Sequence, residues 1–264
     1  VVGGVGGVGG VGGADGGWDA VKQDAEEKAD LLLSLGINVN LAPVCDMTSD
    51  EYGFMYDRSF SSDVDMENRY VRTVVETSKS KKLGTVLKHF PGYGNNSDTH
   101  TGIAYDDRDY SEFENTDFKP FYQGIESGAD CILVSHNIVN CMDSEYPASL
   151  SQKVHDILRN EFKFDGVIMT DDLIMDAITD FTGDEAAAVT AAKCGNDLLC
   201  CSSVNTQYPA VLEAVQNGEI PEAQVDASVK RILKWKQNLG IFSIDTYQKK
   251  VKSTEPTDTV GSEE

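Results

Sequence analysis

Residues 88–100, Lys-His-Phe-Pro-Gly-Tyr-Gly-Asn-Asn-Ser-Asp-Thr-His, gather Lys88, His89, Asp98 and His100 in and after one loop punctuated by Gly and Pro. A bare scaffold has no need of such groups there, so the loop reads as a place where chemistry is done. His100 is the natural general acid or base, because imidazole titrates near neutrality. Asp98 is placed to accept the ring N–H and fix its tautomer, although a loop Asp-x-His also suits a turn with a solvated histidine. Asp171 directly follows the apolar Val167-Ile168-Met169-Thr170. A carboxylate fixed at a strand end can act as a nucleophile or stabilise a cation, while the same residue, or Asp172, would equally cap a helix through Leu173.

Lys88 and His89 leave their strand together, and strand neighbours point to opposite faces, so one of them must turn if both reach a ligand. A lysine there is not buried without a partner. Arg58, in Arg-Ser-Phe-Ser-Ser-Asp, could be a bidentate clamp or an ordinary surface arginine. His136 ends its strand in the same layer and suits ligand contact and a satisfied interior position about equally. His155, within Lys-Val-His-Asp-Ile-Leu-Arg, reads as structural. A metal-dependent hydrolase using His89, His100, His136 and Asp171 is a further alternative, but no pair shows the helical i, i+4 spacing of a zinc motif.

The elements that must hold these groups alternate along the chain. Short apolar strands are predicted over 37–44, 85–90, 131–135, 166–170 and 198–201. Amphipathic helices are predicted from Trp18 to about Gly36, then near 70–81, 113–127, 150–162, 185–194 and 208–216, and over 227–239 with Asp226 as N-cap and Gly240 as stop. Continuous apolar strands between amphipathic helices mean a parallel sheet buried on both faces. Each strand ends in polar residues, among them Cys45-Asp46, Lys88-His89, Ser135-His136 and Asp171-Asp172. Both a (β/α)8 barrel and a doubly wound sheet build their sites at strand C-termini, and the pattern alone does not separate them.

The 264 residues include 22 basic and 44 acidic ones, a net charge of −22. That field disfavours nucleic acid and anionic membranes as partners and suits a neutral or cationic small ligand. No apolar run reaches the roughly 18 residues of a membrane span. The cysteines lack CxxC pairing and read as buried thiols. They point toward the cytoplasm without deciding the compartment. Residues 1–17 open with a Val/Gly repeat lacking a basic n-region, and 247–264 are too polar to fold alone. The leader, a domain over 18–246 and a flexible acidic tail are therefore the expected divisions.

The loop resembles the KHFPGxG…DSH signature of β-N-acetylglucosaminidases of glycoside hydrolase family 3, the type acting on peptidoglycan-derived sugars. GINVNLAPVCDM (36–47), DRSFSSD (57–63), FDGVIMTDDLIMDAI (164–178) and KRILKWKQNLGIF (230–242) are similar to family segments in family order. The resemblance implies a (β/α)8 barrel whose first βαβ portion has no counterpart in residues 18–246, so the barrel is expected to be incomplete. A fragment, a misrecorded start and a second chain supplying the piece all remain open. The resemblance further implies Asp171 as nucleophile and His100 as general acid/base with Asp98. It puts Lys88, His89 and Arg58 on the sugar hydroxyls, and Asp46 and His136 near the site. It implies no cofactor, and a retaining exo-glycosidase releasing terminal β-linked N-acetylglucosamine. An impaired sugar-binding domain, or a β-glucosidase or β-xylosidase of the same family, stays as the alternative. Thr99 stands where the family has Ser, and Tyr93 where it has His.

Overall fold

The computed structural model describes residues 17–96, 102–245 and 247. Asp98 and His100 lie outside the described residues. In chain order the helices are α1 (Gly17–Ser34), α2 (Val64–Ser80), α3 (Tyr110–Asn115), α4 (Phe118–Glu126), α5 (Gln152–Asp156), α6 (Asp176–Thr182), α7 (Asp184–Lys193), α8 (Val204–Gln216) and α9 (Glu222–Asn238). The strands are β1 (Val39–Asn40), β2 (Gly84–Phe90), β3 (Tyr105–Asp106), β4 (Cys131–Val134), β5 (Ile138–Val139) and β6 (Val167–Thr170). The principal sheet runs β1-β2-β4-β6 with every pairing parallel, and β3 and β5 form a separate parallel pair. Among the described residues the sheet is open, not closed into a barrel.

Alternation sorts the strand residues onto two faces. Leu87, Ile132, Val134 and Ile168 join one cluster with Val71 and Val75 of α2, Phe118 and Phe121 of α4, and Leu158 and Phe162. Val86, Cys131, Leu133, Val167 and Met169 join the other with Trp235 of α9. Phe90 packs edge-on against Phe121 and Phe162 at ring separations of 5.2 and 5.4 Å. Each such buried ring contributes about 1.5–3 kcal/mol of transfer energy.

Several expected boundaries shift, for local reasons. The first strand shortens to β1 with a further bridge from Val44 to Lys88, since Pro43 interrupts it and has no N–H to give the ladder. The fifth is reduced to a bridge between Leu198 and Met169. The helix predicted over 113–127 is two helices, because Asp117 turns inward to Arg108 at 2.8 Å and breaks the run. The 150–162 segment is a 3-10 turn, then α5, then a π-helical turn at Ile157–Glu161. Helix α9 starts at Glu222 after Pro221, so Asp226 lies inside it and is not its cap, while Gly240 does follow its end with φ +76°. Cys141 is exposed, and Cys200 and Cys201 half-exposed, contrary to the expectation of buried thiols.

Candidate active site

The strand pair β2–β4 answers how Lys88 and His89 can share a face. Leu87 pairs with Ile132 and Phe90 with Val134, so β2 takes one more step than β4 over the same rise. Leu87 and Phe90 consequently lie in the same cluster, which strict alternation forbids at that spacing. The bulge absorbs the extra residue and lets Lys88 and His89 turn together to the opposite side. The Lys88–His89 peptide bond is cis.

Both side chains are almost fully buried, and acids surround them. Asp46 Oδ2 accepts from the His89 backbone N–H at 2.9 Å and faces its ring Nδ1 at 2.7 Å, and Oδ1 accepts the Tyr93 N–H at 2.9 Å. Arg58 Nη2 lies 3.1 Å from His89 Nε2. The 3-10 turn Tyr56–Arg58 presents that guanidinium, steadied over Phe54 at 5.7 Å. Burial and the neighbouring Arg58 push the Lys88 ammonium down, while Asp171 and Asp46 oppose the shift. Beneath Asp46, burial keeps Glu67 well above the usual carboxylate range, and Asp46 adds to the rise against the Ser61 N–H that its Oε2 accepts at 3.0 Å.

Asp171 stands at the end of β6, its N–H donating to Val134 O at 3.1 Å. Its Oδ1 accepts the Asp172 N–H at 2.9 Å. Burial pushes this carboxyl up, but His89, His136, the Asp172 N–H and Lys88 together hold it below the usual range. Because Arg58 can only donate, its contact at His89 Nε2 puts the ring proton on Nδ1, toward Asp46. Asp171 does not cap α6, which begins at Asp176 after Met175. His136 is wholly buried, with Nδ1 at 2.7 Å from Ser149 Oγ and Nε2 donating to Asp172 O at 3.0 Å. It holds the Asp171–Asp172 turn rather than lying open to a ligand. His155 is structural, as expected, with Nδ1 donating to Ser151 O at 2.7 Å.

The Pro-Gly-Tyr-Gly turn after β2 is shaped by a residue the sequence reading did not single out. Arg108 donates to both carboxylate oxygens of Asp106, to Asp117 Oδ2 at 2.8 Å and to Gly92 O at 3.5 Å, with Phe113 beneath its guanidinium at 4.1 Å. Gly92 has φ +123°, and a Cβ there would lie 2.3 Å from Asp117; one on Gly94, with φ +54°, would meet Arg108 at 2.8 Å. The glycines are therefore required by close approach as well as by backbone sign. Arg108 thus ties the start of the 92–108 loop to its end. The only signal in the sequence was an arginine between Asp107 and Asp109.

The structure brings Asp46, Arg58, Lys88, His89 and Asp171 to one end of the sheet, with His136 behind them. Among the described residues no group of three or more His, Cys, Asp or Glu side chains is arranged to hold a metal ion. No described helix is long and apolar enough to cross a membrane.

A parallel α/β domain with ionisable groups gathered at the C-terminal ends of its strands is common to barrels and doubly wound sheets, and the solved relatives place this one in the barrel class. The model for the glycosyl hydrolase family 3 N terminal domain matches residues 11–235, and the chain belongs to that family. It is 34% identical over 199 residues to a β-hexosaminidase of Hydrogenovibrio crunogenus, covering 74% of this chain and 55% of that protein. An uncharacterized secreted glycosyl hydrolase of Arthroderma benhamiae is 32% identical over 225 residues, covering 81% and 64%. Among solved structures, a family 3 β-N-acetylglucosaminidase from Paenibacillus sp. matches with a TM-score of 0.82 at 30% identity, over 86% of this chain and 44% of that one. The chain spans about half the length of the curated relatives it matches.

Proposed function

We propose that this domain catalyses retaining hydrolysis of terminal β-linked N-acetylglucosamine, with peptidoglycan fragments as a natural source of such sugars. The observation that carries this reading is Asp171: a carboxylate fixed at the end of β6, kept ionised, and facing Lys88 and His89. Names of relatives such as β-hexosaminidase support the sugar class.

In the proposed cycle Asp171 attacks the anomeric carbon while protonated His100, oriented by Asp98, gives its proton to the departing glycosidic oxygen. A covalent glycosyl–Asp171 ester forms and the aglycone leaves. Neutral His100 then takes a proton from water, whose oxygen attacks the same carbon and releases Asp171. The roles of His100 and Asp98 rest on the family motif. Lys88, Arg58 and the His89 ring offer donors and an acceptor for hydroxyls of the bound sugar, and Asp46 keeps His89 in place. His89 Nε2 meets a sugar hydroxyl only if Arg58 yields it, so the two act as one unit.

The test is turnover of an aryl β-N-acetylglucosaminide beside the matching glucoside and xyloside, with NMR of the first-formed anomer and mass spectrometry of the quenched enzyme. The expected result is preferential cleavage of the N-acetylglucosaminide, β-anomer first, and a sugar on the peptide containing Asp171. Initial release of the α-anomer would overturn the retaining mechanism, and preference for glucoside or xyloside would overturn the sugar assignment.

A further inference from the structure

Asp172 is held on three sides, and each contact comes from a different element. Its carbonyl accepts from His136 Nε2 at 3.0 Å, beyond the end of β4. Its Oδ1 accepts the Ser202 N–H at 3.1 Å, and its Oδ2 takes the Ser202 hydroxyl in a short hydrogen bond. The same Oδ1 accepts the Ile174 N–H at 3.3 Å, closing a turn. Two further bonds stitch these segments: Cys200 N–H to Thr170 Oγ1 at 3.0 Å, and Leu173 N–H to Cys200 O at 3.0 Å. The group fixed by all this is the Asp172 N–H, which donates to Asp171 Oδ1 at 2.9 Å.

We infer that Asp172, clasped by Ser202, is a positioning residue whose backbone N–H orients the Asp171 carboxylate. The inference rests on the proposed role of Asp171 as nucleophile, but its geometry does not. A free carboxylate at a strand end rotates about its side-chain bonds. One bound at Oδ1 offers Oδ2 in a defined direction, and misplacement by about 1 Å costs roughly a hundredfold in rate. Ser202 lies on the loop after Leu198, so the clasp lets the fifth strand position, which pairs with β6 through the Leu198–Met169 bridge, reach the nucleophile. Among the described residues, the charged or titratable groups around Asp171 include His89 and Lys88 from β2, His136 after β4, Asp172 beside it, and Cys200 across from it.

The experiment compares Asp172→Ala, Asp172→Asn and Ser202→Ala with the wild type by carbon NMR titration of the Asp171 carboxyl, by kcat and KM on an aryl β-N-acetylglucosaminide, and by thermal melting. In Asp172→Ala the Asp171 titration is expected to move upward and kcat to fall about 10- to 100-fold with KM within a few-fold. Ser202→Ala should show the same changes to a smaller degree. Asp172→Asn should stay near wild type, because its amide still has an oxygen for the N–H donors and an NH2 that the Ser202 hydroxyl can accept. Melting of the serine and asparagine variants should match the wild type. An unmoved Asp171 titration in Asp172→Ala and Ser202→Ala overturns the inference, as does an Asp172→Asn variant as damaged as Asp172→Ala, which would make charge, not geometry, the contribution. If the wild type turns over no substrate, the hydrolase reading fails while the titration still decides the clasp.

Discussion

Arg58 and His89 meet at 3.1 Å through Nη2 and Nε2, and that contact dictates the state of the imidazole. A guanidinium has no lone pair to offer, so Nε2 accepts and the proton sits on Nδ1, facing Asp46 at 2.7 Å. Replacing Arg58 by alanine removes the reason for this tautomer. Nitrogen NMR of the ring is expected to show the Nδ1–H form in the wild type and a mixture in Arg58→Ala. KM should rise about 10- to 100-fold, the worth of one charged hydrogen bond, with melting little changed because the 3-10 turn is at the surface. A single unchanged tautomer would contradict the assignment.

Asp171→Asn is expected to lower kcat by at least about a thousandfold while sugar binding by calorimetry changes little. A pH dependence accompanies it. The folded carboxyl lies below its usual value, so ionised Asp171 contributes stability above the unfolded value of about 3.9, and that contribution disappears as pH falls through the lower folded value. The melting difference between wild type and variant should therefore shrink on acidification below about pH 4. A gap that widens there would reverse the sign.

Glu67 behaves in the opposite sense. Burial raises its folded carboxyl well above the usual range, so its contribution is complete below the unfolded value of about 4.3 and is lost as pH rises through the folded one. Glu67→Gln keeps an oxygen for the Ser61 N–H and carries no charge to bury. Melting from pH 5 to 8 should fall in the wild type relative to the variant, and parallel curves would remove Glu67 as the cause.

Arg108→Ala leaves the nearly buried Asp106 and Asp117 without their cation. Breaking such a pair costs about 3–5 kcal/mol, and denaturant midpoints should shift accordingly. Gly92→Ala should be comparably damaging, since it needs both a left-handed backbone and room that Asp117 occupies. A melting temperature within a degree of wild type for either variant would refute the loop-tie role.

The alternation of strand and helix was legible because apolar periodicity reports burial directly. Lys88, His89 and Asp171 were legible because ionisable groups at strand ends have no packing reason to be there. The division of labour among Arg58, His89 and Asp46 was not, since nothing in DRSFSSD encodes a hydrogen bond across the sheet to residue 89. His136 was placed near the site by resemblance, and nothing in the sequence told that its ring nitrogens bond Ser149 and the Asp172 carbonyl. Arg108 escaped notice because two of its partners, Asp117 and the Gly92 carbonyl, are met only in the folded chain, which no local pattern announces. The split at Asp117 has the same origin.

The irregular step in β2 makes residue count, and not only residue type, part of the site. Removing one residue between Leu87 and Phe90 would leave the composition of the strand almost intact and repair its alternation. Phe90 would keep its seat among the helix-packed rings, then two residues from Leu87 on the same face, and the loop from Pro91 would set off as before; what would be lost is one of the two ionisable side chains that the bulge turns to the same side. For this segment the insertion is itself the information: it adds a second functional side chain to one face and leaves the strand on either side of it in frame.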